Sequence, residues 1–213
     1  LNFFMELGQY MTENSGELLS LTIEHIIMVV YGILLALLVG IPLGILAAKY
    51  EKLAPVINSL TNILQLIPSI AMLAILMLYL GLGSETMVVG LFLYSLMPIV
   101  RNTYVGIKEV DPSIMEAGTG SGMTGFQLLS KIQFPLSLPF LMAGLRVASV
   151  IAVSIACIGP YIGAGGLGEE IISGISVMSG VQIYAGAIPA TILGLFADFV
   201  LGRLEKKTKH QTA

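Results

Sequence analysis

The chain has 213 residues, of which 56% are hydrophobic and 11% charged, with a net charge of −3 and a mean hydropathy of +0.92. Soluble domains carry about 25% charged residues, so water is excluded as the main solvent, and the missing basic face excludes a nucleic-acid partner. The single cysteine, Cys157, lies in an apolar run; this rules out a disulfide framework and leaves no metal-ligand spacing, so it reads as a small packing residue.

In chain order, residues 1–19 come first. They carry acids and no basic n-region, so they do not read as a cleaved signal. Phe3, Phe4, Leu7, Tyr10 and Met11 recur on one helical face, which predicts an amphipathic external lead-in. Residues 25–48, 53–84, 147–168 and 171–197 contain no Asp, Glu, Lys or Arg. These runs are apolar all round and long enough to cross about 30 Å of hydrocarbon. They predict an all-α membrane protein with five spans, at 20–48, 55–80, 86–107, 135–158 and 181–203. Pro55 and Pro135 fall at expected helix starts. Pro42, Pro68, Pro98, Pro139 and Pro189 fall inside spans and are expected to bend them.

Basic residues set the topology. Lys49 and Lys52 lie between the first two spans, Lys108 and Lys131 between the third and fourth, and Arg203, Lys206, Lys207 and Lys209 after the fifth. The opposite side offers Glu6, Glu13, Glu17, Glu85, Glu169 and Glu170. The positive-inside rule therefore puts the N-terminus outside and the C-terminus, with a tail over 204–213, in the cytoplasm. The expected localisation is the plasma membrane, multi-pass, with residues 1–213 as one transmembrane domain.

Residues 108–134 form the longest connection between spans and face the cytoplasm. Asp111-Pro112-Ser113 predicts a helix start, with Asp111 as N-cap. Gly118, Gly120 and Gly122 end that helix, and Thr124 to Ile132 restarts one with Phe126, Leu128, Leu129 and Ile132 apolar. Two short helices around a glycine turn would present apolar side chains on the water side, which implies a protein partner.

Glu116-Ala117-Gly118 is followed by three residues and Gly122, then nine residues, Ile132, Gln133, Phe134 and Pro135. This spacing resembles the EAA motif of bacterial ABC import permeases. Gly118 stands in place of the second alanine, and Phe134 in place of the leucine; the glycine is expected to loosen the first helix by about 1 kcal/mol. The runs Ile41–Ile45, Leu66–Leu73, Leu93–Tyr104 and Gly163–Gly168 extend the likeness over nearly the whole chain, to the osmoprotectant (glycine betaine, carnitine, choline) uptake permeases of the Opu type. The resemblance implies a type I ABC importer transmembrane domain. It also implies a second permease subunit, identical or paralogous, two cytoplasmic ATPases that bind ATP and Mg, and an external substrate-binding protein. The loop would then be the coupling helix, with Glu116, Ala117, Gly118, Gly122, Ile132 and Pro135 as its residues.

No G-x-x-x-x-G-K-[ST] occurs, so the chain is not expected to hold ATP or any cofactor, or to act as an enzyme. The G-x-G-x-x-G patterns at Gly120–Gly125 and Gly163–Gly168 follow no strand and read as turns or close helix contacts. Arg101, Arg146 and Asp198 fall inside spans and are candidate pathway or interhelical residues. Arg146 lies about 16 Å beyond Pro135, where it would stand between helices or meet a substrate carboxylate. Arg101 and Asp198 sit at similar depth and are expected to pair. An ion-coupled secondary transporter is the alternative, and it calls for broken helices and acids at midplane. A non-transporting membrane anchor is the other.

Overall fold

The computed structural model describes residues 2–212, and every regular element among them is helical. In order these are α1 (Asn2–Glu13), α2 (Ser15–Lys49), α3 (Ala54–Leu66), α4 (Ser69–Leu80), α5 (Ser84–Lys108), α6 (Pro112–Gly120), α7 (Gly125–Leu128), a π turn (Leu129–Gln133), α8 (Phe134–Ala156), a 3-10 turn (Gly159–Ile162), α9 (Gly168–Ser176) and α10 (Gly180–Thr212). The five expected spans correspond to α2, the α3–α4 pair, α5, α8 and α10.

α5 sits at the centre, packed on α2 and α8, with α3 and α4 along another side; α10 packs outside α8. Lipid supplies no hydrophobic drive between helices, so close backbone approach and dispersion hold them together. Small residues permit that approach: Gly32, Gly40 and Gly44 of α2 lie against Leu91, Ile99 and Thr103 of α5. The main core joins Met28 and Ile33 of α2, Leu73 of α4, Leu91 of α5 and Val153 of α8. His25 is fully buried and its Nε2 donates to Val153 O at 3.1 Å, so it pins α2 to α8. Large apolar side chains such as Leu34, Leu38, Leu78, Leu195 and Phe199 stand exposed around the outside, the inverse of a soluble surface.

Prolines act differently from one another. α2, α5, α8 and α10 run through Pro42, Pro98, Pro139 and Pro189. At Pro68 the span breaks, and α3 and α4 meet at 97°. Ile67, immediately before the proline, is forced extended (φ −67°, ψ 129°). The Ile67 carbonyl freed there accepts from Tyr94 Oη of α5, and in return Gln65 Nε2 donates at 3.1 Å to Tyr94 O, whose helical donor position is taken by Pro98. Pro135 takes the first turn of α8, as expected, but the chain does not break before it: Gly125–Ala156 runs on as one helical stretch of 32 residues. A π turn precedes the proline, with Phe134 N–H reaching back to Leu129 O, and this absorbs the donor that Pro135 lacks.

The two ends of the bundle are tied separately. On the basic side Lys108 Nζ meets Glu51 Oε1 at 3.4 Å, joining the α2–α3 loop to the end of α5. On the acidic side Gly83 N–H donates to Ile162 O at 2.8 Å. The lead-in also docks there: Leu7 packs with Leu18 and Ala185, and Phe3 meets Tyr184 edge to face. Phe4, expected on the apolar face, is exposed. Tyr10 Oη donates to the buried Glu170 carboxylate at 2.9 Å, and burial, with this carboxylate beside it, pushes the phenol up to about 12.

Glu169 shares this end with Glu17, Glu24 and Glu170. Burial first, and then those carboxylates, raise its pKa above the ordinary carboxylate value. A raised carboxyl is held more tightly protonated in the fold than in the unfolded chain, so its stabilisation is full below about pH 4.3 and is lost as pH rises through the raised value. Thermal midpoints followed across pH should show this decline in the wild type and a flatter profile in Glu169→Gln. An equal decline in both would remove Glu169 as its source.

Candidate coupling loop and membrane-embedded charges

The loop after α5 opens on Asp111, whose Oδ1 accepts from Ser113 N–H at 2.8 Å while Pro112 takes the first helical turn. These Ser113 hydrogen bonds hold the Asp111 carboxyl below the usual range. α6 then presents Glu116 and Ala117 to solvent and turns Gly118 inward. A Cβ on Gly118 would lie 2.6 Å from Leu128 Cδ2 and 2.9 Å from Ile132 Cδ1. The glycine that departs from the alanine pattern therefore lets the two short helices nest, rather than merely loosening the first.

α6 ends in a Schellman motif. Met123 N–H bonds to Gly118 O at 3.2 Å and Gly122 N–H to Thr119 O at 2.9 Å, with Gly122 left-handed at φ +81°. The second helix starts at once through a capping box: Gln127 N–H donates to Thr124 Oγ1 at 3.4 Å, and Thr124 N–H to Gln127 Oε1 at 2.8 Å. Because α7 runs through the π turn into α8, any push on this corner reaches the fourth span without an intervening loop. The corner rests on the ends of α2 and α5, over a cavity of about 320 Å³ that Ile45, Lys49, Ile107, Met115, Phe126 and Gln133 help to line. Phe126 is 78% exposed on the water side. It belongs with Glu116, Ala117, Gly118, Gly122, Ile132 and Pro135 in this unit, and its signal in the sequence is an aromatic in an otherwise polar turn.

The embedded charges pair differently from expectation. Arg146 binds Asp198 through both prongs of its guanidinium, Nε–Oδ1 2.6 Å and Nη2–Oδ2 2.8 Å. Its Nη1 also reaches Glu205 Oε2 at 3.5 Å, and Glu205 holds Lys209 at 2.9 Å. Arg101 and Asp198 do not pair. α10 packs on α8, where Arg146 waits, while Arg101 lies in the groove between α3 and α5. Arg146 is thus neutralised by its neighbours, which weakens the expectation that it meets a substrate carboxylate. The pair lies about 15 Å from the outer end of α8 and is a little over one-third exposed. Beside it a cavity of about 480 Å³ extends between α8 and α10 from Cys157 to Asp198, with Ser154 and Thr191 on its walls.

Residues 40–210 match the family model described as binding-protein-dependent transport system inner membrane component. The chain is 47% identical over 207 residues to the glycine betaine/carnitine/choline transport system permease protein OpuCD of Bacillus subtilis, covering 97% of this chain and 90% of that one. It is 44% identical to the choline transport system permease protein OpuBD of the same organism, covering 97% and 92%. It is likewise 44% identical to the carnitine transport permease protein OpuCD of Listeria monocytogenes, covering 97% and 90%. Among solved structures, an inward-facing MetNI methionine ABC transporter aligns with a TM-score of 0.78 at 22% identity over 87% of this chain and 93% of that one. An amino acid ABC transporter aligns with a TM-score of 0.78 at 17% identity, over 93% and 97%.

Proposed function

Because this chain belongs to the family of binding-protein-dependent transport system inner membrane components, we propose that it forms half of the membrane pathway of an ATP-driven importer for osmoprotectants such as glycine betaine, carnitine or choline. A second permease subunit, two ATPases that bind ATP and Mg, and an external binding protein complete the assembly in this reading. The observation that carries it is the cytoplasmic corner at 111–135. A capped helix, a Schellman turn and a second capped helix expose Glu116, Ala117 and Phe126 to a cytoplasmic partner. A span-length helix leads directly from that corner into the membrane.

The mechanism follows from this continuity. ATP binding closes the ATPases around the corner; α7, the π turn and α8 move as one lever; and the groups lining the path switch between two openings. Differential contact with the ATPases in their two states supplies the bias that such a switch requires. Glu116 provides a polar contact in the dock, and Gly122 holds the angle between the short helices. The quaternary ammonium class comes from the relatives' substrates, and high-affinity selection is assigned to the binding protein.

The test is uptake of these compounds by vesicles holding the complete complex. Uptake should need internal ATP and survive an uncoupler; the reverse pattern would replace this reading with an ion-coupled carrier. Gly122→Leu places a side chain at φ +81°, at a cost of about 1–2 kcal/mol in backbone strain. Uptake should fall several-fold while the complex still assembles and hydrolyses ATP. Undiminished uptake by that variant would take the turn out of the coupling path.

A further inference from the structure

α3 bears no charge, but Asn58, Ser59 and Asn62 recur on it within two turns. Facing them from α5 are Arg101 and Tyr104. Together with Pro55, Met97 and Val105 these residues line a cavity of about 420 Å³, a size suited to a small solute. Arg101 makes no hydrogen bond or ion pair among the described residues, and neither do the side chains of Ser59, Asn62 and Tyr104. Asn58 gives its Nδ2 to Ala54 O at 2.8 Å, which leaves its oxygen open.

Arg101 stands seven residues before Lys108, the last residue of α5, or about 10 Å inside the end of the helix. A guanidinium with no counter-ion at such depth is costly against hydrocarbon and faces protein or water instead. Arg146, the other embedded arginine, is already neutralised by Asp198 and Glu205. The Ile67–Pro68 break, whose carbonyl Tyr94 takes up, lies about 10 Å deeper along α5. Irregular backbone at membrane depth likewise belongs beside protein or a wet passage.

We propose that the α3–α5 groove is a carboxylate-binding subsite on the transport path, with Arg101 as the anion ligand and Asn58, Ser59, Asn62 and Tyr104 as its polar walls. It takes small zwitterions that carry a carboxylate, such as glycine betaine and carnitine, and gives no comparable hold to choline, which has none. The guanidinium fork suits a carboxylate in two-pronged contact, while the Tyr104 ring and Met97 offer the softer side toward methylated nitrogen. This inference rests on the proposed function for its substrate class.

The experiment measures uptake of glycine betaine, carnitine and choline at saturating concentration by vesicles holding the full complex with wild-type, Arg101→Gln or Arg101→Lys permease. Arg101→Gln should lower uptake of the two carboxylated compounds about ten- to a hundredfold and leave choline within about twofold. Arg101→Lys, which keeps the charge but not the fork, should fall between. Equal loss for all three compounds would assign Arg101 to assembly or to the partner permease and overturn the subsite, as would unchanged betaine uptake. A wild type that carries choline alone would also overturn it. If the wild type carries only the carboxylated compounds, the order wild type, Lys, Gln decides, and equal Lys and Gln variants overturn it. A wild type that imports none of the three refutes the substrate class itself, a result distinct from all of these.

Discussion

Gly168→Ala is expected to lower the melting temperature of the protein more than any other single methyl group added to the outer cap. An added Cβ would sit 2.1 Å from the Cys157 carbonyl oxygen and 2.7 Å from its carbon. Both belong to backbone at the end of α8, so no side-chain rotation relieves the clash. Gly168 opens α9, and the neighbouring Leu167 is fully buried, so the outer cap has no slack in which to slide. Overpacking of this kind falls at the upper end of its usual range, about 3 kcal/mol, equivalent to a fall in melting temperature on the order of 10 °C. Gly8→Ala is the control: nothing lies within 4 Å of its added Cβ, and alanine is the better helix former by about 1 kcal/mol. Thermal unfolding of the two purified variants decides it. A Gly168→Ala midpoint close to that of the wild type would mean that the approach of α9 to α8 is adjustable.

The Gly163–Gly168 run illustrates how far the sequence alone reaches. Its composition allows a tight reversal or a close helix contact, and the fold uses both: Gly163 and Gly166 are left-handed, and Gly168 abuts α8. The spans and their direction were legible because hydropathy and the side preference of Lys and Arg are local, additive signals. The same holds for the Asp111 cap and the turn at Gly122, where the chemistry acts within a few residues. Proline is where local reading stops. Pro68 breaks its span and Pro189 does not, since the outcome depends on whether a neighbour such as Tyr94 can take up the freed groups. Pro135 does take the first turn of α8, but the π turn that joins α8 to the helix before it is not legible in the sequence. Pairing of embedded charges is less legible still. Depth along the spans matches Arg101 with Asp198, but rotation about each helix axis decides who meets whom, and here it gives Asp198 to Arg146.

That pairing carries the other large expected effect. Asp198→Asn should cause a several-fold drop in the yield of folded protein and lower its melting temperature. It leaves the Arg146 charge at membrane depth with only the Glu205 contact at 3.5 Å. Arg146→Met should do comparable harm from the other side, because it leaves the Asp198 carboxylate at membrane depth without its cation. The two changes together should recover much of the loss: breaking an ion pair strands a charge, whereas replacing both partners removes the charges along with their need for solvation. Yield and melting temperature of the two single variants and the double test this directly. A double variant no better than the worse single would show that the pair is not a closed unit and that other groups depend on each member. If the double variant folds, its transport activity separates two roles for the pair. Undiminished uptake makes Arg146–Asp198 a post between α8 and α10. Lost uptake in a well-folded complex makes the pair part of what must move during transport, beside the cavity that passes Ser154 and Thr191 between the same two helices.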